Sequence, residues 1–246
     1  MKKLIFYIIF ALIFLMSAHI SVSSQTAHEL VRQASAEMNA SDFTTALNDV
    51  NKAIEMDAEY PGAYYVRGHI NYNQKKYSDA IPDFSKAIEM KPDYIDAYYK
   101  RAASYFNSGS MDLALNDYTK VTELDPAMSD AYYKIGNIYR AQKIYDKAIL
   151  NYQKAAELNP NLVNAYYNMG NIYYDSKSYD KAIDSYTKAI EGNGLSAQAY
   201  YKRGNAYDMM MKYDNAVKDW QKAIELNSSL SMSLNKKIAA EKKKIK

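Results

Sequence analysis

The 246-residue chain has no cysteine. Disulfides, thiolate metal sites and lipid attachment at a lipobox-type cysteine are excluded. Histidine is scarce: there are three, His19, His28 and His69, and no His-Glu-x-x-His pairing joins any of them. The eight glycines form neither a glycine-rich phosphate loop nor a Gly-x-Ser-x-Gly elbow. Carboxylates are plentiful, but they recur at fixed spacing, as at Asp146, Asp180 and Asp214. There a helix start favours an acid, by capping or through its positive end. The expectation is a protein that is not an enzyme, uses no cofactor and binds no metal. Asn39-Ala40-Ser41 and Asn227-Ser228-Ser229 match a glycosylation acceptor, a pattern too short to outweigh chance.

Long apolar runs are also missing. The longest, Leu4 to Ala18, has 15 residues, against the roughly 20 that span a bilayer. It follows Met1-Lys2-Lys3 and precedes small polar residues, so residues 1–24 read as a secretory signal peptide. Val22 and Ser24 fit the small-residue rule for cleavage between Ser24 and Gln25; Ala18 is a second candidate, and an uncleaved anchor is the alternative. The mature protein is expected to be exported, either periplasmic or secreted. The lysine-rich leader and the lysine, asparagine and tyrosine bias point to a bacterial source.

What the chain does have is a period. From Ala27 to Leu230 it repeats every 34 residues, six times, with no insertion or deletion. Ala-Tyr-Tyr begins at Ala63, Ala97, Ala131, Ala165 and Ala199. A small residue follows at Gly68, Ala102, Gly136, Gly170 and Gly204, and an alanine recurs from Ala46 to Ala216. Four residues after that alanine stand Phe84, Tyr118, Tyr152, Tyr186 and Trp220. Such a period marks a solenoid, in which each repeat buries its apolar face against its neighbours.

Within one repeat the pattern is helical. In Ser129 to Leu162, one face carries Ala131, Tyr132, Ile135, Gly136 and Tyr139, and a second stripe carries Tyr145, Ala148, Ile149, Tyr152, Ala155 and Ala156. Gln142 to Ile144 makes a short turn between them, and Pro160 stops the second helix, as do Pro92 and Pro126 in earlier repeats. Gly136 and Ala148 let two backbones approach. Pro82 lies early in a second helix and removes one backbone hydrogen bond there.

These residues make the chain resemble a tetratricopeptide repeat protein. The repeat with Tyr132, Gly136, Tyr139, Ala148, Tyr152, Ala155 and Pro160 carries all of the family's marks. The first repeat departs at Leu30, Val50 and Ala58, the third at Ala102 and Met111, and the fifth ends in Gly192-Asn193-Gly194, which implies a looser junction. The resemblance implies an all-α fold, a right-handed superhelical solenoid of six antiparallel helix pairs with a C-terminal capping helix. The repeats are 27–60, 61–94, 95–128, 129–162, 163–196 and 197–230, and the lysine-rich capping helix is 231–246.

Charge separates along the chain. The overall +3 divides into +2 over the leader, −4 over the repeats and +5 over the tail from Ser231. No basic stripe follows the array, so nucleic acid is not an expected partner. Leu234 and Ile238 continue the apolar stripe of Leu230, which suits a cap; membrane contact, if any, is confined to this basic helix.

In the family, the stripe one residue past the first-helix core lines a concave groove. Here it reads Tyr65, Tyr99, Tyr133, Tyr167 and Tyr201, then Asn137, Asn171 and Asn205, with Tyr72, Phe106 and Tyr174 beyond. Tyrosine offers contact area with few rotatable bonds, and asparagine offers a donor and an acceptor together. Lys100, Lys134 and Lys202 stand at the groove rim, one residue beyond the position where chaperone-binding members carry a lysine. The competing expectation is that tyrosine fills between helices and asparagine bonds to the next repeat. The resemblance implies a non-catalytic protein–protein interaction scaffold of the bacterial cell envelope, holding an extended segment or helix of another protein. The alternative is a module for glycan or cell-wall polymer.

Overall fold

The computed structural model describes residues 26–192 and 196–244. The leader and the proposed cleavage position lie outside the described residues, as do Asn193 and Gly194 of the fifth junction. The described chain is all-α. The helices are α1 (Ala27–Asn39) and α2 (Phe43–Met56), α3 (Pro61–Asn73) and α4 (Tyr77–Met90), α5 (Ile95–Asn107) and α6 (Met111–Leu124). They continue with α7 (Ser129–Ala141) and α8 (Tyr145–Leu158), α9 (Val163–Asp175) and α10 (Tyr179–Gly192), α11 (Ala197–Met209) and α12 (Tyr213–Leu226). A 3-10 turn at Ser228–Leu230 leads into α13 (Ser231–Lys242), which Lys243 and Lys244 follow as a turn. The chain forms two compact bodies, divided between Ala97 and Tyr98. None of the described helices is long and apolar enough to cross a membrane.

Local chemistry explains the helix ends. Thr26 and Glu29 form a capping box on α1, and Asp42 accepts from the Thr45 amide at the start of α2. The second helices α4, α6, α8 and α12 have no side-chain cap. Asp79, Asp112, Asp146 and Asp214 sit in their first turns instead, as Asp180 does in α10, so of the two explanations for these acids the positive helix end holds. Second helices close through side chains: Asp57, Asp125, Asn159 and Asn227 each accept a backbone hydrogen bond from two residues on. Pro82 lies inside α4. Between the two helices of each repeat one residue has positive φ: Ser41, Lys75, Gly109, Lys143, Lys177 and Met211.

The cores run from repeat to repeat. In the first body, Leu30, Val31, Ala46 and Val50 pack with Ala63, Val66 and Ile70. In the second, Tyr152 and Ala156 of one repeat pack with Ala165, Met169 and Ile172 of the next. Trp220 and Ala223 close against Leu234 and Ile238 of α13, so α13 buries the last repeat's apolar side. The small residue of the first helix faces an aromatic ring. A Cβ on Gly136 would come within 2.7 Å of the Tyr152 ring, and one on Gly170 within 2.6 Å of Tyr186. Gly136 therefore makes room for a side chain as well as for a backbone. Where Ala102 brings a Cβ, Tyr118 stands nearly edge-on to Tyr99, at 74°; at the glycine-bearing repeats the corresponding angles are 43° and 54°.

Candidate functional site

The tyrosines of the first-helix stripe are half-buried rather than free-standing. Each rests on the fully buried aromatic of its own repeat. Ring centroids lie 5.9 Å apart for Tyr65 and Phe84, 5.3 Å for Tyr99 and Tyr118, 5.7 Å for Tyr133 and Tyr152, and 5.8 Å for Tyr167 and Tyr186. Tyr201 packs beside Trp220. Tyr65 also meets Tyr94 at 5.0 Å. Burial raises the Tyr65 hydroxyl far above the ordinary phenol range, and Asp96 adds to it. Part of the ladder thus belongs to the core.

The asparagines are where the structure changes the reading. Asn137 Oδ1 accepts from the Tyr152 hydroxyl at 2.8 Å, Asn171 Oδ1 from the Tyr186 hydroxyl at 2.9 Å, and Asn205 Oδ1 from Trp220 Nε1 at 3.1 Å. The bond runs to the same repeat's second helix, and at Asn137 the same oxygen also accepts from Asn168 Nδ2 of the next repeat at 3.2 Å, so the expected bond between repeats is present there. The acceptor half of each amide is committed inward, so the face offers a donor, not a donor and an acceptor together. The Nδ2 groups of Asn137 and Asn205 have no hydrogen-bond partner among the described residues, and the Asn171 amide faces the Tyr167 hydroxyl. Because their oxygens are fixed, these side chains are already oriented; a ligand would order them at little entropic cost.

Two more residues belong to the same face. Buried Asn168 donates to Asn137 Oδ1 at 3.2 Å and to the Tyr133 hydroxyl at 3.4 Å. The Tyr99 hydroxyl donates to Asp130. At the end of the second body, Lys237 of α13 donates to Asn205 Oδ1 at 3.4 Å. Tyr174 stacks edge-on to Tyr179 at 5.6 Å, with Lys202 Nζ 6.0 Å from its centroid. Lys134 Nζ is 5.9 Å from the Tyr133 centroid. Lys100 is half-buried. Tyr72 contacts Tyr77 at 5.5 Å, and Phe106 is 38% exposed.

A second constellation recurs in three repeats. Arg67 pairs with Asp83, Arg101 with Asp117 and Arg203 with Asp219, in forked geometry at 2.6–3.1 Å. The guanidinium carbon lies 5.5 Å from the centroids of Tyr64, Tyr98 and Tyr200 respectively. Arg67 reaches Asn51 and Arg203 reaches Thr187, on the preceding repeat's second helix. Burial works against the Arg101 and Arg203 charges, but the aspartate bonds outweigh it and both pKa values rise. Repeats four and five have Ile135 with Asn151 and Met169 with Ser185 at these positions. Repeats two, three and six thus carry both partners at a spacing of 16 residues and repeats four and five carry neither, while the first repeat keeps a buried Asp49 opposite Gln33 and pairs it with Lys52 at 3.2 Å; the pattern was readable by laying the repeats over one another.

Among the described residues no three metal-ligating side chains gather. Models for the tetratricopeptide repeat match 68–109, 136–177 and 170–210, 95–128, and 197–230. No curated protein matches the chain significantly. Among solved structures, MamA is 27% identical, with 70% of this chain and 94% of that one covered and a TM-score of 0.64. YrrB, described as a TPR protein with an unusual peptide-binding site, is 22% identical, with 76% and 97% covered and a TM-score of 0.64. The C-terminal part of a TPR repeat-containing protein from Cytophaga hutchinsonii is 20% identical, with 86% and 84% covered and a TM-score of 0.73. At these last two identities the likeness is one of fold.

Proposed function

We propose that this chain, which belongs to the tetratricopeptide repeat family, is a non-catalytic scaffold that holds a segment of another protein against its first-helix face. The observation that carries this reading is the row of asparagines. Their oxygens are pinned to buried aromatics, and their amino groups stand among half-buried tyrosines. Donors in register suit the repeated carbonyls of an extended backbone. The peptide-binding site in YrrB's description lends support by analogy of fold. We place the scaffold in a bacterial cell envelope on the strength of the leader's composition.

Proteins cross-linked to the mature chain in intact cells identify the partner. A peptide copied from that partner should bind saturably, and about 1–3 kcal/mol more weakly to Tyr167→Ala or Asn171→Asp. Lys134→Ala should matter mainly at low salt. Retention on insoluble cell wall that survives protease treatment of the wall would favour a glycan ligand instead. The mass of the exported chain tests the leader: a species beginning at Gln25 is expected, and a full-length, membrane-retained main product would favour an anchor.

A further inference from the structure

On the face made by consecutive second helices, α8, α9 and α10 enclose a cleft of about 360 Å³. Its lining includes Gln153 and Glu157 from α8, Tyr166 and Met169 from α9, and Ser185 and Lys188 from α10, with Asp184 at its edge. These residues are not part of the asparagine row. The cleft lies where other repeats place their arginine. In the sixth repeat, Arg203 fills the corresponding space: its carbon lies 5.5 Å from Tyr200, its fork closes on Asp219, and Nη1 reaches Thr187 of the preceding repeat. In the fifth repeat Tyr166 keeps the place of Tyr200, but the arginine is Met169 and the aspartate is Ser185.

The chain itself shows what this space accepts. Three repeats fill it with a guanidinium against a tyrosine ring. In the fifth, Lys188 Nζ is drawn to 5.9 Å from the Tyr166 centroid while pairing with Asp184 at 3.2 Å. A cation therefore already occupies the ring, on a flexible side chain that is half exposed. The lining carries two exposed carboxylates, Glu157, loosely paired with Lys154 at 3.6 Å, and Asp184, paired with Lys188. A guanidinium is planar, more weakly hydrated than an ammonium and able to fork onto a carboxylate, so it should displace Lys188 from the ring.

We infer that this cleft receives an arginine side chain from a bound protein, taking the place that Arg67, Arg101 and Arg203 fill within their own repeats. It is a second docking point, on other residues than the first-helix face and independent of the reading given to that face. Titration of the full chain with argininamide, lysinamide and the blocked peptide Gly-Arg-Gly, followed by amide NMR, tests it. Argininamide and the peptide should saturably shift the amides of Tyr166, Ser185 and Lys188, with lysinamide weaker. The double variant Met169→Arg, Ser185→Asp copies the sixth repeat and fills the cleft. It should bind about tenfold more weakly, while Met232→Ala, at an exposed position of α13, should bind as the parent does. If the double variant loses its helical signal, Tyr166→Leu provides the same comparison without new charge. An unchanged response in the filled variant or in Tyr166→Leu, or an equal response to lysinamide, would overturn the inference. Binding of argininamide without binding of the peptide would overturn the assignment to a protein side chain.

Discussion

The Oδ1 atom of Asn171 accepts a hydrogen bond of 2.9 Å from the hydroxyl of Tyr186, a ring with no exposed surface. This bond ties the face proposed for binding to the core beneath it. Asn171→Ala leaves the Tyr186 hydroxyl without its acceptor and should cost about 1–3 kcal/mol of stability. Asn171→Asp keeps an acceptor for the Tyr186 hydroxyl at the same place while exchanging the amino donor for a charged carboxylate oxygen, so it should retain most of that stability. Denaturant unfolding measured beside partner binding separates the two roles. Full stability in Asn171→Ala would show that the bond contributes nothing to the fold.

Gly136→Ala sets two principles against each other. Helix propensity alone predicts a gain of about 1 kcal/mol. The added Cβ, however, meets the Tyr152 ring at 2.7 Å and the Ala148 carbonyl oxygen at 3.3 Å. Tyr152 is fully buried and has no outward path, so packing should win with a net loss of about 1–3 kcal/mol. The sign of the change in urea unfolding decides the matter.

Arg203 and Asp219 should behave as a unit. Removing only the guanidinium by Arg203→Met strands a carboxylate that is 8% exposed and should cost about 2–4 kcal/mol. The double variant Arg203→Met, Asp219→Ser copies the fifth repeat and should recover most of that loss. A double-mutant cycle reads the coupling directly. Additive losses would show that the pair is not one energetic unit.

Alkali should unfold the chain over a defined window. Burial pushes the Tyr152 hydroxyl from 10.0 up to about 12, and that of Tyr94 likewise to about 12. The folded state holds these protons longer than the unfolded state does. Their stabilising contribution is therefore complete below pH 10 and is lost as pH rises through about 12. Tyrosinate absorbance should rise in two phases, exposed phenols first and buried ones together with loss of helical signal. A single phase with the helices intact would contradict the burial of these rings.

Much of the fold was legible because the sequence is its own alignment: six copies in phase show which positions are small, aromatic or acidic. Pro126 and Pro160 mark where second helices end, and Leu234 and Ile238 show a face that α13 buries on Trp220. The candidate face was legible only as a set of positions. Spacing puts Asn137 beside Tyr133, but it does not show that the amide oxygen turns inward to Tyr152. A partial hint was present: asparagine accompanies the donor-bearing rings Tyr152, Tyr186 and Trp220 and His69 accompanies Phe84, but Ala103 accompanies Tyr118. The Arg–Asp pairs went unread because each partner alone resembles an ordinary surface charge. Their joint loss at Ile135 with Asn151 and at Met169 with Ser185 marks them as one device.

The turns between paired helices carry a different consequence. Five of their six positive-φ positions are Ser41, Lys75, Lys143, Lys177 and Met211, with φ between 58° and 65°, and only Gly109 is glycine. A side chain in that conformation costs about 1–2 kcal/mol, and glycine there would give back part of it against a looser unfolded chain. The turns thus hold an untapped reserve of rigidity, repeated every 34 residues and set three residues past Tyr72, Phe106 and Tyr174. Glycines introduced one turn at a time would act as a graded stiffness control, making it possible to ask whether a partner needs a compliant scaffold or merely a correctly shaped one.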